Sequence, residues 1–208
     1  MLLIVKPSID RETAFTSKIK ICLLVGAIGA ALLAAGCGGS EDSPAPPPDY
    51  AKKLANSPAP LAALHAQGND LLEGGQDAFE YRLAKLKGYP VVVNAWASWC
   101  GPCRNEFSHF QQTSADLGRK VAFLGIDVED DAASAETFLK DNPVPYPSYS
   151  DPGADIYDSL GLSFGYPGTV FFDAEGKQTF TKPGQYSDQA ALEADVQEYA
   201  LGGENKTS

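Results

Sequence analysis

The sequence contains few of the side chains that bind transition metals: only four of its 208 residues are cysteine and only two are histidine. A structural zinc site normally needs further Cys or His ligands in paired spacing, and neither His65 nor His109 has such a partner. We therefore expect no bound metal and no other cofactor. The cysteines instead include one close pair, Cys100 and Cys103.

Basic charge is also scarce, with 16 Lys and Arg against 27 Asp and Glu and a net charge of −11. Residues 1–36 hold four of the basic and two of the acidic side chains, so the remainder carries 12 basic against 25 acidic groups. Such a surface repels polyanions, which argues against nucleic acid or an anionic membrane surface as a direct ligand. We interpret the excess acid as a solvated surface.

A long hydrophobic run is missing as well, because the apolar stretch Ile21–Ala35 is shorter than the ~20 residues of a usual membrane-spanning helix. Basic residues precede it, so residues 1–36 are predicted to be a secretory signal. The end of this stretch, LAAGC, resembles the lipobox of bacterial lipoproteins, which implies lipidation of Cys37; an uncleaved anchor is the alternative. Both interpretations place the protein on the extracytoplasmic face of a bacterial cell membrane.

Composition divides the remainder into three parts. Residues 37–60 are rich in Pro, Gly and Ser and are predicted to form a semi-extended tether. Residues 61–202 have the length and the apolar content of one domain, and residues 203–208 form a polar tail.

The Cys pair lies where a buried strand gives way to a helix. The β-branched run Val91–Val93 predicts the strand, and the pattern from Gly101 onward predicts a helix to about residue 117. At a helix N terminus the unpaired amides and the dipole favour a thiolate, so Cys100 is expected to have a lowered pKa. Pro102 suits the first helical turn, and Gly101 leaves room for a partner.

The spacing of the two cysteines puts Cys103 one helical turn after Cys100, within reach of a disulfide. One sulfur can then attack a substrate and the other can resolve the product. A structural staple is the alternative, but a staple that closes so short a loop would constrain little of the unfolded chain. We therefore interpret the pair as a redox couple.

The segment VVVNAWASWCGPCRNEF resembles the active site of thioredoxin-like proteins, and more closely that of the TlpA/ResA group of membrane-attached thiol-disulfide oxidoreductases. The resemblance covers about residues 90–201. It implies an α/β thioredoxin-like fold, in which helices flank a central mixed sheet. Apolar periodicity and turn residues predict the other elements: a helix over 79–86, a strand over 121–128 parallel to the first, a helix over 130–140, an extended segment over 142–147, a short helix over 155–160, a hairpin of 169–173 with 178–181, and a helix over 188–201.

The same resemblance implies a second part of the site at GYPGT, residues 165–169. In thioredoxin-like proteins the matching proline is cis and lies beside the Cys pair, where the preceding backbone pairs with an extended substrate. We carry this role to Tyr166 and Pro167. Gly168 replaces the usual threonine or serine, so substrate choice stays open. The predicted substrate-binding residues are Trp99, Gly101, Pro102, Tyr166 and Pro167.

An acid near the cysteines is the third expected feature. Thioredoxin has a buried Asp where this sequence has Asn94, which cannot take up a proton. TlpA/ResA proteins carry a Glu three residues after the second cysteine, which implies that Glu106 carries the proton of Cys103. The alternative is that Glu106 is an exposed surface acid. Ser108 also replaces a proline that is usual in relatives.

These observations predict a lipid-anchored extracytoplasmic thiol-disulfide oxidoreductase, with reduction of protein disulfides as the favoured direction. Relatives act on apocytochrome c or other exported proteins and take electrons from a membrane thiol donor, which implies partners of the same kinds. A peroxide-reducing redoxin is one alternative, although the proline and threonine expected before its cysteine are absent. A copper-binding assembly factor of the same fold is the other.

Overall fold

The structure is a computed structural model that describes residues 46–203. The predicted signal over residues 1–36, the lipidation site Cys37 and residues 204–208 of the predicted tail lie outside the described residues.

A mixed sheet of six strands forms the centre, in the spatial order β1-β4-β3-β2-β5-β6. The strands from β1 to β2 in this order are parallel to their neighbours, whereas β5 is antiparallel to β2 and β6 is antiparallel to β5. This arrangement confirms the predicted mixed sheet. The strands are β1 Leu71–Leu72, β2 Val91–Trp96, β3 Ala122–Val128, β4 Ser148–Asp151, β5 Gly168–Phe172 and β6 Gln178–Pro183.

Helices cover both faces of the sheet and create two apolar cores. One core contains Trp96 and Phe107 and lies under α4, α5 and α7, and the other contains Phe79 and Ile126 and lies under α2, α3 and α6. The helices are α1 Tyr50–Lys53, α2 Ala59–His65, α3 Gly75–Lys85, α4 Gly101–Leu117, α5 Ala132–Asp141, α6 Asp155–Ser159 and α7 Gln189–Asp195, which continues as a π-helical turn over Val196–Ala200.

The unit β2-α4-β3 positions the Cys pair. Both strands are buried along their whole length, which is why they appear in the sequence as continuous apolar runs. They pair in parallel from Val91 opposite Ala122 to Trp96 opposite Asp127. Parallel strands end at the same edge of a sheet, so the loop after β2 and the loop after β3 meet beside the N terminus of α4.

The predicted helices and the hairpin are present, and an aspartate caps the N terminus of two of the helices. The side chain of Asp131 accepts the amide N–H of Ser134 at the start of α5, and that of Asp188 accepts the amide N–H of Ala191 at the start of α7. The strands β1 and β4 were not predicted. β1 has only two residues, and β4 has the polar sequence SYSD although three of its four residues are buried.

The predicted tether is wrong for residues 50–60. These residues contain α1 and the start of α2, and they pack on the domain instead of forming a spacer. The hydroxyl of Tyr50 donates to the carbonyl of Pro143 at 2.8 Å, the ammonium of Lys53 pairs with the carboxylate of Asp116, and the side chain of Leu54 is buried. The apolar anchors Tyr50 and Leu54 outweigh the proline content of this stretch.

Candidate active site

Cys100 and Cys103 form a disulfide at the N terminus of α4. Cys100 is the N-cap residue, and its Sγ accepts the amide N–H of Cys103 at 3.2 Å. Cys103 is completely buried, whereas Cys100 keeps a small exposed area. The structure therefore joins the pair as the spacing predicts, and Cys100 is the less buried of the two residues.

The loop before Cys100 is held from two directions. The carboxylate of Asp130 accepts both the amide N–H and the hydroxyl of Ser98, the latter at 3.0 Å. The guanidinium of Arg104 donates to the carbonyl of Ser98 at 3.2 Å and lies over the ring of Phe138. These contacts fix the backbone that presents the disulfide.

Four of the five predicted substrate-binding residues reach the surface around the disulfide. Trp99 is 57% exposed, Gly101 and Pro102 are exposed, and Tyr166 is half-buried. The ring of Tyr166 meets the edge of Trp99 with 5.7 Å between centroids, so the loop before β5 lies beside the Cys pair. The peptide bond between Tyr166 and the buried Pro167 is cis, as the family resemblance implies.

Glu106 is completely buried on α4, one helical turn after Cys103. Its Oε1 accepts the side-chain N–H of Asn94 at 2.8 Å, and its Oε2 accepts the amide N–H of Tyr186 at 2.9 Å. Burial raises the pKa of Glu106 to about 7, although the two hydrogen bonds and the charge of Lys182 act against this rise. The alternative of an exposed surface acid is therefore wrong.

The amide of Asn94 can form its hydrogen bond with Glu106 in two orientations. Its side chain is buried, and its Oδ1 has no hydrogen-bond partner. Rotation of the amide by half a turn would point Oδ1 at Glu106, where it can accept the proton of a neutral carboxyl. Asn94 can thus form a hydrogen bond with Glu106 in either protonation state of the carboxyl.

Sequence analysis missed Asp127, a second buried acid at the end of β3. Only 2% of Asp127 is exposed, and its Oδ1 has no hydrogen-bond partner. Burial, together with the neighbouring acids Asp130 and Asp151, raises its pKa to about 8. An acid inside the apolar run 121–128 was the sequence pattern that could have revealed it.

In the described part of the chain, neither histidine forms a hydrogen bond with Cys100 or Cys103. The ring nitrogens of His65 face the carbonyl oxygens of Pro145 and Gly118 at 3.2 and 3.0 Å, which agrees with a packing role. His109 is half-buried on α4, and burial lowers its pKa. Among residues 46–203, no three His, Cys, Asp or Glu side chains are grouped as metal ligands. No helix in this part of the chain is both long and apolar enough to cross a membrane.

Comparison with known proteins identifies the family. The model of the AhpC/TSA family matches residues 57–179. The chain belongs to the AhpC/TSA family. Over 94 residues it is 37% identical to the thiol:disulfide interchange protein DsbE of Pseudomonas fluorescens biotype C, a match that covers 45% of this chain and 51% of that protein.

Two further relatives support the predicted resemblance. The thiol-disulfide oxidoreductase ResA of Bacillus subtilis is 29% identical over 96 residues, or 46% of this chain and 53% of that protein. The crystal structure of a thiol:disulfide interchange protein of the thioredoxin family from Chlorobium tepidum TLS superposes with a TM-score of 0.51 at 25% identity, covering 56% of this chain and 83% of that one. These matches confirm the thioredoxin-like fold and the relationship to thiol-disulfide oxidoreductases. The chain spans about half the length of the curated relatives it matches.

Proposed function

We propose that this protein is an extracytoplasmic, membrane-anchored thiol-disulfide oxidoreductase that reduces disulfides in other proteins. The observation that carries the proposal is the Cys100–Cys103 disulfide at the start of α4, in which Cys100 keeps a small exposed area and Cys103 is completely buried. The names of the DsbE and ResA relatives support the same chemistry.

The reaction begins with the reduced protein. The thiolate of Cys100 attacks one sulfur of a partner's disulfide, so a mixed disulfide forms and the partner's other sulfur leaves as a thiolate that takes up a proton. The thiolate of Cys103 then attacks the Sγ of Cys100, which breaks the mixed disulfide and releases the second partner thiol. Two electrons pass to the partner, and the Cys100–Cys103 disulfide remains.

We assign to Glu106 the role of accepting and returning the proton of the Cys103 thiol. A buried thiol needs a base close by before it can attack, because solvent does not reach it. A carboxyl with a pKa of about 7 accepts and returns a proton near neutral pH. Glu106 lies on the same helix one turn away from Cys103, and Asn94 can follow its change of protonation.

The exposed residues around the disulfide supply the docking surface in this proposal. Trp99, Gly101 and Pro102 would contact one side of a partner's extended segment, while the backbone before Pro167 and the ring of Tyr166 would contact the other. The contact between Trp99 and Tyr166 joins the two sides.

The cellular setting is proposed from the N-terminal sequence. The signal over residues 1–36 exports the chain, and lipid on Cys37 holds it at the extracytoplasmic face of the cell membrane. In an oxidising compartment a Cys pair is oxidised unless electrons reach it, so a reductase needs a membrane dithiol donor that returns two electrons and two protons. Substrates of this class include exported proteins, among them apocytochrome c.

Trapping the mixed disulfide tests the proposal. The variant Cys103→Ser leaves Cys100 able to attack and removes the resolving sulfur, so exported proteins should accumulate as adducts that dithiothreitol releases. The variant Cys100→Ser is the matched control and should trap none. Absence of adducts, together with no reduction of a protein disulfide by the wild type, would reject the proposal; consumption of hydrogen peroxide or tight binding of copper by the reduced protein would favour the two alternatives.

A further inference from the structure

Glu129, the residue after β3, bonds through all of its polar groups to separate segments around the disulfide. Its amide N–H donates to the carbonyl of Asp151 at 3.2 Å, at the end of β4. Its carbonyl accepts the indole N–H of Trp99 at 3.1 Å. Its carboxylate accepts the hydroxyl of Tyr166 at 2.8 Å. One residue thus connects the sheet edge, the loop before Cys100 and the loop before β5.

The backbone of Glu129 is unusual for a residue of its type. Its φ is +50°, in the left-handed region that non-glycine residues rarely occupy. Such conformations persist where the surroundings hold them, and they occur often at functional sites. Here the conformation aims the carbonyl at Trp99 and the carboxylate at Tyr166 from one position.

The two aromatic rings held by Glu129 form one wall. The rings of Trp99 and Tyr166 meet edge to face, and the ring of Tyr157 packs on Tyr166 with 5.0 Å between centroids. The hydroxyl of Tyr157 in turn donates to the carbonyl of Gly165 at 2.9 Å. Because Trp99 is more than half exposed, packing alone does not fix its ring.

We propose that Glu129 is a positioning residue that holds Trp99 and Tyr166 together beside the disulfide and thereby sets affinity for the polypeptide around a partner's disulfide. This inference rests on the proposed function, because it assumes that the wall contacts a protein substrate. Holding the wall in place before the substrate arrives removes an ordering step from binding. Glu129 itself transfers no proton or electron in this scheme.

Steady-state kinetics on two substrates test the inference with full-length protein. The first substrate is a peptide with several residues on each side of its disulfide, and the second is 2-hydroxyethyl disulfide, which has no polypeptide to contact the wall. Glu129→Ala should raise KM for the peptide by about fivefold, as expected when one solvent-exposed hydrogen bond of ordinary strength is lost. It should leave kcat for the peptide and the reduction of 2-hydroxyethyl disulfide unchanged.

Three further variants separate positioning from a general structural effect. Tyr166→Phe removes the other partner of the hydrogen bond and should give the same rise in KM, and the double variant should add nothing to either single change. Glu129→Gln keeps an acceptor oxygen and should restore most of the affinity. Glu175→Ala, at an exposed acid in the turn between β5 and β6, is the matched control and should match the wild type.

A titration provides a readout that does not depend on activity. Burial and the carboxylate of Glu129 raise the pKa of the Tyr166 hydroxyl. The resonances of the Tyr166 ring should therefore titrate at lower pH in Glu129→Gln than in the wild type.

Equal effects of Glu129→Ala on both substrates, additive effects of the two single variants, or an unchanged Tyr166 titration would overturn the inference while leaving the proposed function intact. A wild type that reduces neither substrate would instead reject the proposed function, and the role of Glu129 with it.

Discussion

Two buried acids lie near the disulfide, and they differ in what surrounds them. Both oxygens of Glu106 accept hydrogen bonds, one from Asn94 and one from the amide of Tyr186. Asp127 has one oxygen without a partner, and its charged neighbours are two further acids, Asp130 and Asp151. Burial is the main reason for the raised pKa of each, yet only Glu106 has donors ready to support its anion.

This difference suggests different roles for two groups with similar pKa values. Glu106 can ionise at modest cost because its donors stay in place, which suits a group that exchanges a proton in each cycle. Asp127 is stabilised as a neutral acid, which can donate its proton toward the carboxylate of Asp130. Since Asp130 holds Ser98, Asp127 supports the loop before Cys100 and does not need to titrate during the reaction.

The largest expected effect is on stability in Asp127→Asn. The pKa of Asp127 is about 8 in the folded protein against 3.8 ordinarily, so the folded state binds the extra proton between these values and the wild type loses stability as pH rises through them. Asn cannot ionise and keeps a donor toward Asp130. The variant should match the wild type near pH 4 and exceed it well above pH 8 by on the order of 5 kcal/mol. Urea unfolding across this range measures it.

The exposed Asp70→Asn is the control for that series and should shift stability little at any pH. A stability difference between Asp127→Asn and the wild type that does not change with pH would show that Asp127 ionises freely in the folded protein.

The next effect is on stability in Glu106→Gln. The pKa of Glu106 is about 7 against 4.5 ordinarily, so the wild type again loses stability as pH rises between these values. Gln removes this penalty, and rotation of the Asn94 amide keeps both hydrogen bonds. The variant should gain about 3 kcal/mol above pH 7 and almost nothing near pH 4, measured by urea unfolding beside the exposed control Glu136→Gln. A variant that is less stable than the wild type above pH 7 would contradict this.

Turnover in Glu106→Gln should fall by about 100-fold near pH 7, the lower end of what a positioned acid or base contributes. The loss should appear in kcat, because the docking surface is intact. The variant should also lose the rise in kcat near pH 7 that the ionisation of Glu106 gives the wild type. The loss of kcat in Asp127→Asn should be small. Equal losses of kcat in the two variants would contradict the assignment of different roles to Glu106 and Asp127.

The smallest expected effect is in Asn94→Ala. It removes one donor from the Glu106 anion, so stability should fall by about 1 to 3 kcal/mol above pH 7 and by less where Glu106 is neutral. The exposed Asn105→Ala on the same helix is the control. Equal losses at low and high pH would mean that Asn94 acts through packing and not through the charge of Glu106.

Local patterns in the sequence were enough for the elements that carry the disulfide. The apolar run of β2 and the proline in the first turn of α4 each act within a few residues, so the sequence pattern predicts them. The polar strand β4 was missed because its burial depends on distant groups. The hydroxyl of Ser148, for example, accepts the indole N–H of Trp96 at 3.1 Å.

The contacts around Glu106 and Asp127 could not be predicted from local sequence patterns either. The amide that bonds Glu106 belongs to Tyr186, 80 residues later in the chain. The acids that raise the pKa of Asp127 come from the loop after β3 and from the end of β4. The docked helices over residues 50–60 likewise depend on contacts with Asp116 and Pro143, which composition does not reveal.

The midpoint potential of the Cys100/Cys103 couple, measured against pH, tests the central claim most directly. Purified protein is equilibrated in dithiothreitol redox buffers, and its free thiols are counted by alkylation. We predict reversible two-electron exchange, with the thiol-to-disulfide ratio changing tenfold per ~30 mV, and a change of slope near the Glu106 pKa of about 7 that Glu106→Gln lacks. A pair that stays oxidised at every potential, or thiols that never react in either state, would contradict the account.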